Sequence, residues 1–386
     1  MENLDILKAE LIERGKHLGF PVIGITDVRP FDLWCQAVEV RRTMDSKVKR
    51  VLSRLTPYPE DLMPDARAIV VAVHPYLPYP EEFPEGVPRY SAHYVEYPGA
   101  RKAVEELARV IGQRGYKVMV EPPLPAKAAA YRAGVGTFGK NGLIYAGEYG
   151  SWVTLHLILT DAPLSCDSQP QDLSLCGECN RCMQACPAHA IADDGAVLPG
   201  RCLRAYMLSS EFVPVDIREK LGTRLLGCDI CQKVCPRNSR ITRQACLPED
   251  DHLRPFDVYA LIKALVENDR KSIEAVASLI GSNYARPQRL LSSAIIVAGN
   301  FGQPKFVPLL IKTLKHPHPP IRAYSAWALG KIGGRESLNA LADALKDETD
   351  ERVIQEIKRA QEIAGLSECK GDFDGKGGEK SQYESI

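Results

Sequence analysis

Eight cysteines between Cys176 and Cys235 constrain this chain more than any other feature. They run Cys176-x2-Cys179-x2-Cys182-x3-Cys186-Pro187, then Cys202, then Cys228-x2-Cys231-x3-Cys235-Pro236. Three cysteines at successive two-residue gaps reach three corners of one iron–sulfur cubane. A fourth that precedes proline swings away to a second cluster. Eight in this order specify two [4Fe–4S] clusters and the movement of single electrons. Zinc suits the pattern poorly, because its ligands come as two pairs across a loop and Cys176, Cys179 and Cys182 form an uninterrupted triplet. A disulfide framework belongs to short secreted chains. This chain has 386 residues and opens on MENLDILKAELIERGKHLGF, a polar amphipathic helix rather than an apolar signal. A radical-SAM site needs a three-residue gap followed by a two-residue gap, and no triplet here has that order. Cys35, Cys166, Cys246 and Cys369 read as ordinary thiols, as expected in a reducing cytoplasm.

The chain is 45% hydrophobic, enough to bury two or three cores. No run approaches the ~18 apolar residues of a membrane span. The longest, Ala68–Val73 and Trp152–Leu159, have the length and β-branching of buried strands, so a soluble cytoplasmic protein is expected. Formal net charge is zero, which by itself announces no nucleic-acid partner. The charge is uneven, however. Residues 200–244 hold nine Lys/Arg against four Asp/Glu, including Lys233, Arg237, Arg240 and Arg243, while residues 336–386 hold seven against thirteen. A basic patch beside the clusters suits a phosphate backbone; a solvated helix face is the plainer reading.

Three regions and a tail follow from the patterning. Residues 1–165 alternate helices (Leu4–Leu18, Ala100–Arg114) with strand-like runs (Val22–Thr26, Ala68–His74, Lys117–Val120, Val153–Thr160), which predicts an α+β or α/β sheet domain. A Pro/Tyr-rich loop, Pro75–Pro98, interrupts it. Residues 166–250 are the two-cluster module. Residues 255–365 read as helix pairs, with Leu290–Gly299, Phe306–Leu314, Ile321–Ile332 and Ser337–Leu345 punctuated by Asn300–Pro304 and Gly333–Arg335. Ala323–Gly333 is a HEAT-type helix, and stacked pairs of this kind bury one continuous core. Residues 366–386, rich in Gly, Lys, Glu and Ser, are expected to be a disordered tail.

In this order the regions resemble the epoxyqueuosine reductase family over nearly the whole chain, from about Leu4 to Gly365. The resemblance rests on Arg54-Leu-Thr-Pro57, Met63-Pro-Asp-Ala-Arg-Ala-Ile-Val70, Arg89-Tyr-Ser-Ala-His93 and Arg132-Ala-Gly-Val-Gly-Thr-Phe-Gly-Lys-Asn141. Gly150-Ser-Trp152, Leu159-Thr-Asp161 and Gly227-Cys-Asp-Ile-Cys-Gln-Lys-Val-Cys-Pro236 complete it. It implies a cobalamin-binding reductase domain, a ferredoxin-like two-cluster module and a C-terminal HEAT-like domain. The implied activity is reduction of epoxyqueuosine to queuosine in tRNA, by a monomer fed from an external one-electron donor such as a flavodoxin or ferredoxin. It also implies the ligation. Cys176, Cys179, Cys182 and Cys235 share one cluster, and Cys186, Cys202, Cys228 and Cys231 the other. Cobalamin would lie near Gly134, Gly136, Lys140, Asn141, Thr160 and Asp161. Glycine lets backbone approach a large flat ligand and take up positive φ, although a tight loop crossing uses glycine in the same way. No Asp-x-His-x-x-Gly motif supports a histidine ligand to cobalt, and no nicotinamide fingerprint appears.

Three departures from the family pattern bear on substrate. Its Val-Asp-(Ser/Thr)-x-Pro proton-donor stretch stands as Val118-Met-Val-Glu-Pro-Pro-Leu-Pro125, leaving Glu121 as the acid. Its Asp-Tyr-His stands as Glu96-Tyr97-Pro98. Its Leu-Arg-Asn-Ala stands as Leu290-Leu-Ser-Ser-Ala294, so Arg286 and Arg289, with Arg237 and Arg240, are the candidate tRNA contacts. Two other readings accommodate the departures. One is a paralogue with both cofactors that reduces a small molecule or a protein-bound corrinoid. The other is an electron-transfer protein without corrinoid.

Overall fold

The run Ala68-Ile-Val-Val-Ala-Val73 shows no polar alternation, and all six residues are fully buried. It forms the centre of a four-stranded sheet in a computed structural model that describes residues 2–44, 54–167, 175–193, 195–208 and 211–371. The strand order is Val22–Thr26, Ala68–Pro75, Val153–Thr160, Val118–Val120, and every neighbouring pair is antiparallel. The central register sets Ala68 opposite Thr160 and Val73 opposite Leu155.

Side chains alternate across the pleat, so each face needs its own cover. On one face Ala68, Val70, Ala72 and Ile158 meet Leu7 and Leu11 of helix Glu2–His17 and Val104, Leu107, Ala108 and Ile111 of helix His93–Gly112. The helical residues recur at three- and four-residue spacing, one stripe of a helix. On the other face Ile69, Val71, Val73, Leu157 and Leu159 meet Ala129 and Ala130 of helix Ala126–Arg132. Leu107 is fully buried, so truncating it to Ala would cost about 2–5 kcal/mol.

The second of these helices begins at His93, seven residues before the start expected from sequence. Pro98 lies inside it. A proline near a helix start removes one backbone hydrogen bond without ending the helix, and the early start carries His93, Tyr94 and Tyr97 onto the helix.

The chain divides into two units. The first holds residues 1–83, 90–206 and 226–248 and includes the sheet and all eight motif cysteines; the second holds residues 84–89, 207–225 and 249–386. The segment between Cys202 and Cys228 therefore belongs largely to the second unit.

That unit is helical, with Val258–Glu267, Arg270–Ile280, Pro287–Phe301, Val307–Thr313, Pro319–Ile332, Arg335–Asp347 and Glu351–Gly371 in succession. Helices Pro287–Phe301 and Pro319–Ile332 are buried along most of their length. A Cβ on Gly330 would come within 2.7 Å of the Ala360 Cα, so glycine permits that helix crossing. Arg218, only 2% exposed, makes hydrogen bonds of 2.8 and 3.1 Å to both carboxylate oxygens of Glu356. Its Nε donates to the Val213 carbonyl, and Tyr324 ties down Glu211 and Val213. The last helix runs to Gly371. The tail expected to be disordered lies, from residue 372, outside the described residues. No helix among the described residues is long and apolar enough to cross a membrane.

Candidate active site

Each cysteine motif carries a short helix, Arg181–Ala185 or Ile230–Lys233, and the two helices pack together. Both motifs then reach Cys-Pro. Cys186 (φ −72°, ψ 110°) and Cys235 (φ −75°, ψ 124°) have left the helical region, as the residue before proline must. The thiols of the two motifs lie among one another. Burial, then Cys176, Cys235 and Cys179, push the Cys182 thiol up. Burial, then Cys228, Cys202, Cys182 and Cys186, push Cys231 up. Cys235 of the second motif thus neighbours the first triplet, while Cys186 and Cys182 of the first motif both neighbour Cys231 of the second cysteine set, Cys186, Cys202, Cys228 and Cys231. Among the described residues no three His, Cys, Asp or Glu side chains close on a single-ion position. A cubane holds its four thiolates on four separate irons, so such convergence is not required.

The strand Val153–Thr160 and the loops around it clasp this module. Asn238, fully buried, accepts from the Ser151 amide at 2.9 Å and donates at 2.8 Å to the Ser151 hydroxyl and the Gln232 carbonyl. Gln232 donates to the Ser151 carbonyl at 2.8 Å, and the Trp152 indole donates to Thr242 at 3.1 Å. Gly150 has φ +55°, and a Cβ there would lie 2.2 Å from Asn238 Oδ1. On the other side of the cysteines, Lys140 Nζ donates to the carbonyls of Gly177 (2.7 Å) and Cys179 (3.2 Å), and its amide donates to Cys176 Sγ at 3.4 Å. The Tyr145 hydroxyl donates to Cys235 Sγ at 3.2 Å and accepts from buried Asn141 at 3.0 Å. Donors aimed at cluster sulfurs are one of the protein's levers on reduction potential.

A recess opens beside the second cysteine set. Lys127 has a solvent-accessible side chain, yet burial, then Arg204 and Arg41, push its ammonium down to about 8, with Cys202 and Cys231 acting in the opposite sense. Burial, then Arg204, His156 and Lys127, push the His93 imidazole down to about 3, so it is neutral at physiological pH. Lys127 Nζ donates to the Gly142 carbonyl at 2.7 Å, and Arg204 Nε to the Tyr94 hydroxyl at 2.7 Å. Tyr97 leans over His156 with ring centroids 4.9 Å apart. A separate hollow of about 660 Å³ between helices Glu2–His17 and His93–Gly112 is lined by Glu10, Arg14, Glu106 and Arg109 among others, and holds none of these groups.

Glu121 stands against His156, directly after the strand Val118–Val120. Its amide donates to the Leu157 carbonyl at 2.8 Å, and its φ is +51°. A non-glycine residue at positive φ is uncommon and gathers at functional sites. Its carboxyl lies 2.5 Å from His156 Nδ1 and is 18% exposed, while His156 is fully enclosed.

The other residues singled out in the sequence are dispersed. Gly134 (φ +73°) stops helix Ala126–Arg132, its amide bonding the Tyr131 carbonyl. A Cβ on Gly136 would meet Ile144 at 2.5 Å. Lys140 and Asn141 serve the cysteine module. Thr160 donates to the Lys117 carbonyl at 2.7 Å and Asp161 accepts from the Lys117 amide at 2.8 Å, four residues and about 13 Å along the strand from His156. Arg237 reaches the Leu175 carbonyl, and Arg240 pairs with Glu148 at 3.1 Å across an exposed surface. Arg286 and Arg289 belong to the second unit, at the start of helix Pro287–Phe301. Sequence reasoning passed over His156, Lys127, His93 and Arg204. A histidine within the apolar strand Val153-Thr-Leu-His-Leu-Ile-Leu-Thr160 was the signal available for the first.

Residues 175–238 match the family described as a 4Fe-4S double cluster binding domain, and residues 273–360 match HEAT repeats. The chain is 30% identical to epoxyqueuosine reductase of Listeria monocytogenes, covering 91% of this chain and 96% of the relative. It is 29% identical to the Bacillus subtilis enzyme over 95% and 98%. The solved Bacillus subtilis epoxyqueuosine reductase, captured with its catalytic loop swung out of the active site, superposes with TM-score 0.80 at 28% identity, covering 93% of this chain and 99% of that one. An epoxyqueuosine reductase bound to an epoxyqueuosine-modified tRNA-Tyr stem loop superposes with TM-score 0.75 at 27% identity, over 94% and 100%. Likeness at this level across almost the full length of both partners makes the chain a member of the epoxyqueuosine reductase family.

Proposed function

We propose that this oxidoreductase converts epoxyqueuosine to queuosine in tRNA. The overall change is epoxide plus two electrons and two protons to alkene and water. One observation carries the reading: His156, the partner of Glu121, and Lys127 both act on His93, and Cys202 and Cys231 act on Lys127, so a proton source and an electron source lie in one neighbourhood. Glu121, partly enclosed and positioned by backbone and histidine, acts as the acid toward the departing oxygen. Cys176, Cys179, Cys182 and Cys235 hold the outer cluster. Cys186, Cys202, Cys228 and Cys231 hold the cluster at the recess. An external one-electron donor such as a flavodoxin or ferredoxin supplies them.

The recess fits cobalamin on the chemistry of its donors. Lys127 and Arg204 are solvent-accessible cations near Cys202 and Cys231, suited to a large ligand with an anionic phosphate. They would hold the cofactor, whereas Gly134, Gly136, Lys140, Asn141, Thr160 and Asp161 have the structural partners already described. When bound, cobalamin supplies a strongly reducing centre for carbon–oxygen cleavage. Arg237, Arg240, Arg286 and Arg289 are the proposed tRNA phosphate contacts, and each should contribute to a salt-dependent affinity.

The test is anaerobic reconstitution of both clusters, followed by mass analysis of nucleosides from epoxyqueuosine-containing tRNA with and without cobalamin. Conversion with loss of one oxygen, dependent on cobalamin, is the expected result. Persistence of epoxyqueuosine in the loaded, reduced enzyme overturns the assignment.

A further inference from the structure

We infer that His156 is a positioning residue for the acid: it holds one oxygen of the Glu121 carboxyl and leaves the other to face the substrate. The inference rests on the proposed role of Glu121 and goes beyond it to a buried group that the chemistry alone does not require.

The argument is geometric. His156 is fully buried in the strand Val153–Thr160, with both ring nitrogens engaged. Nε2 lies 2.9 Å from the Thr154 hydroxyl and Nδ1 lies 2.5 Å from Glu121 Oε1. The Thr154 hydroxyl is 2.9 Å from Nε2 but 3.5 Å from the His74 carbonyl, so its hydrogen goes to Nε2 and Nδ1–H donates to Glu121 Oε1. With Oε1 occupied by that donor, Oε2 is the oxygen left to carry the proton that is transferred. Around the ring, Phe20 presents its edge at 5.8 Å and Tyr97 covers one face. The imidazole therefore cannot rotate away, and Glu121, held at positive φ, keeps one carboxyl oxygen on His156. Its side chain is 18% exposed, so the carboxyl stays accessible for proton exchange.

In the reaction the Glu121 carboxyl gives its proton to the epoxide oxygen as the carbon–oxygen bond breaks, while the two electrons arrive from the external donor through the clusters. Solvent reprotonates the carboxylate, which then delivers the second proton, and the oxygen leaves as water.

The titratable and charged groups around the pair are His74 on the neighbouring strand, His93 and Tyr97 on helix His93–Gly112, and Lys127 and Arg204 in the recess. A pH profile must therefore be read against variants. The test uses reconstituted holoenzyme with His156→Gln and, as a milder change, Thr154→Val. His156→Gln should lower kcat about tenfold or more, leave KM for tRNA and iron content unchanged, and move the pH profile of kcat. Thr154→Val should move the profile in the same direction by less. Independently of turnover, 15N-histidine-labelled oxidised protein should show one strongly downfield Nδ1-bound proton that vanishes in Glu121→Gln. An unchanged pH profile in His156→Gln, or no such resonance in the wild type, overturns the inference. A wild type that leaves epoxyqueuosine intact overturns the functional reading instead, and the resonance still decides whether the pair exists.

Discussion

The cysteine module and the Glu121 turn both depend on the strand Val153–Thr160, but they are secured in opposite ways. The module is held redundantly. Ser151, Gln232 and Asn238 exchange buried hydrogen bonds, Lys140 spans two carbonyls, and Tyr145 and Asn141 reach the far side. The acid depends on one residue in a sparsely populated backbone region and one buried histidine. Electron delivery tolerates small displacements of a cluster. Proton delivery requires a carboxyl oxygen within hydrogen-bond reach of the leaving oxygen. Redundancy at the first site and a single strained support at the second follow from that difference.

The comparison can be broken most forcefully at the clusters. Cys179→Ala should abolish turnover and reduce iron from about eight to about four per chain; unchanged iron by colorimetric assay would show the ligation to be wrong. Next in size is a control outside the first unit. Glu356→Gln leaves the Arg218 guanidinium buried without its partner and should cost about 3–5 kcal/mol in denaturant unfolding, with iron content unaltered. The clasp should yield less to one change. Asn238→Ala strands the Ser151 amide and should cost about 1–3 kcal/mol, read as faster loss of cluster absorbance under mild denaturant. Iron lost outright from this variant would show that the module is not held redundantly.

The smallest effect is one of pH. The Lys127 ammonium is held down at about 8, below its unfolded value near 10.4, so the native chain binds fewer protons than the unfolded chain between those values. Global stability should rise through that window, while the recess loses its cation as pH climbs past 8. Cobalamin affinity measured by titration should fall several-fold from pH 7 to pH 9 and stay level in Lys127→Met.

The sequence revealed the two sites to different depths, for a physical reason. Cysteine ligation is written in local spacing, so the motifs could be read without the fold, and the apolar runs Ala68–Val73 and Trp152–Leu159 marked the sheet by composition alone. The repeat helices were legible from three- and four-residue periodicity, to within a few residues. The acid was legible only as the one carboxyl in a prolyl stretch, because what makes Glu121 distinctive is His156, 35 positions away and joined to it by strand register. Pro98 obscured the start of a helix it does not break, hiding His93 and Tyr97. The glycines of 134–142 pointed toward a ligand, whereas Gly134 and Gly136 have sufficient reasons in a helix stop and a crowded strand pair.

The central claim is that the chain delivers electrons and protons through separable parts. Reconstituted Glu121→Gln tests it most directly, with iron content, the reduced-cluster EPR signal and epoxyqueuosine conversion measured on one preparation. The account predicts full iron, a wild-type EPR signal and conversion reduced about a hundredfold or more. Conversion at the wild-type rate, or loss of the clusters together with activity, would contradict it.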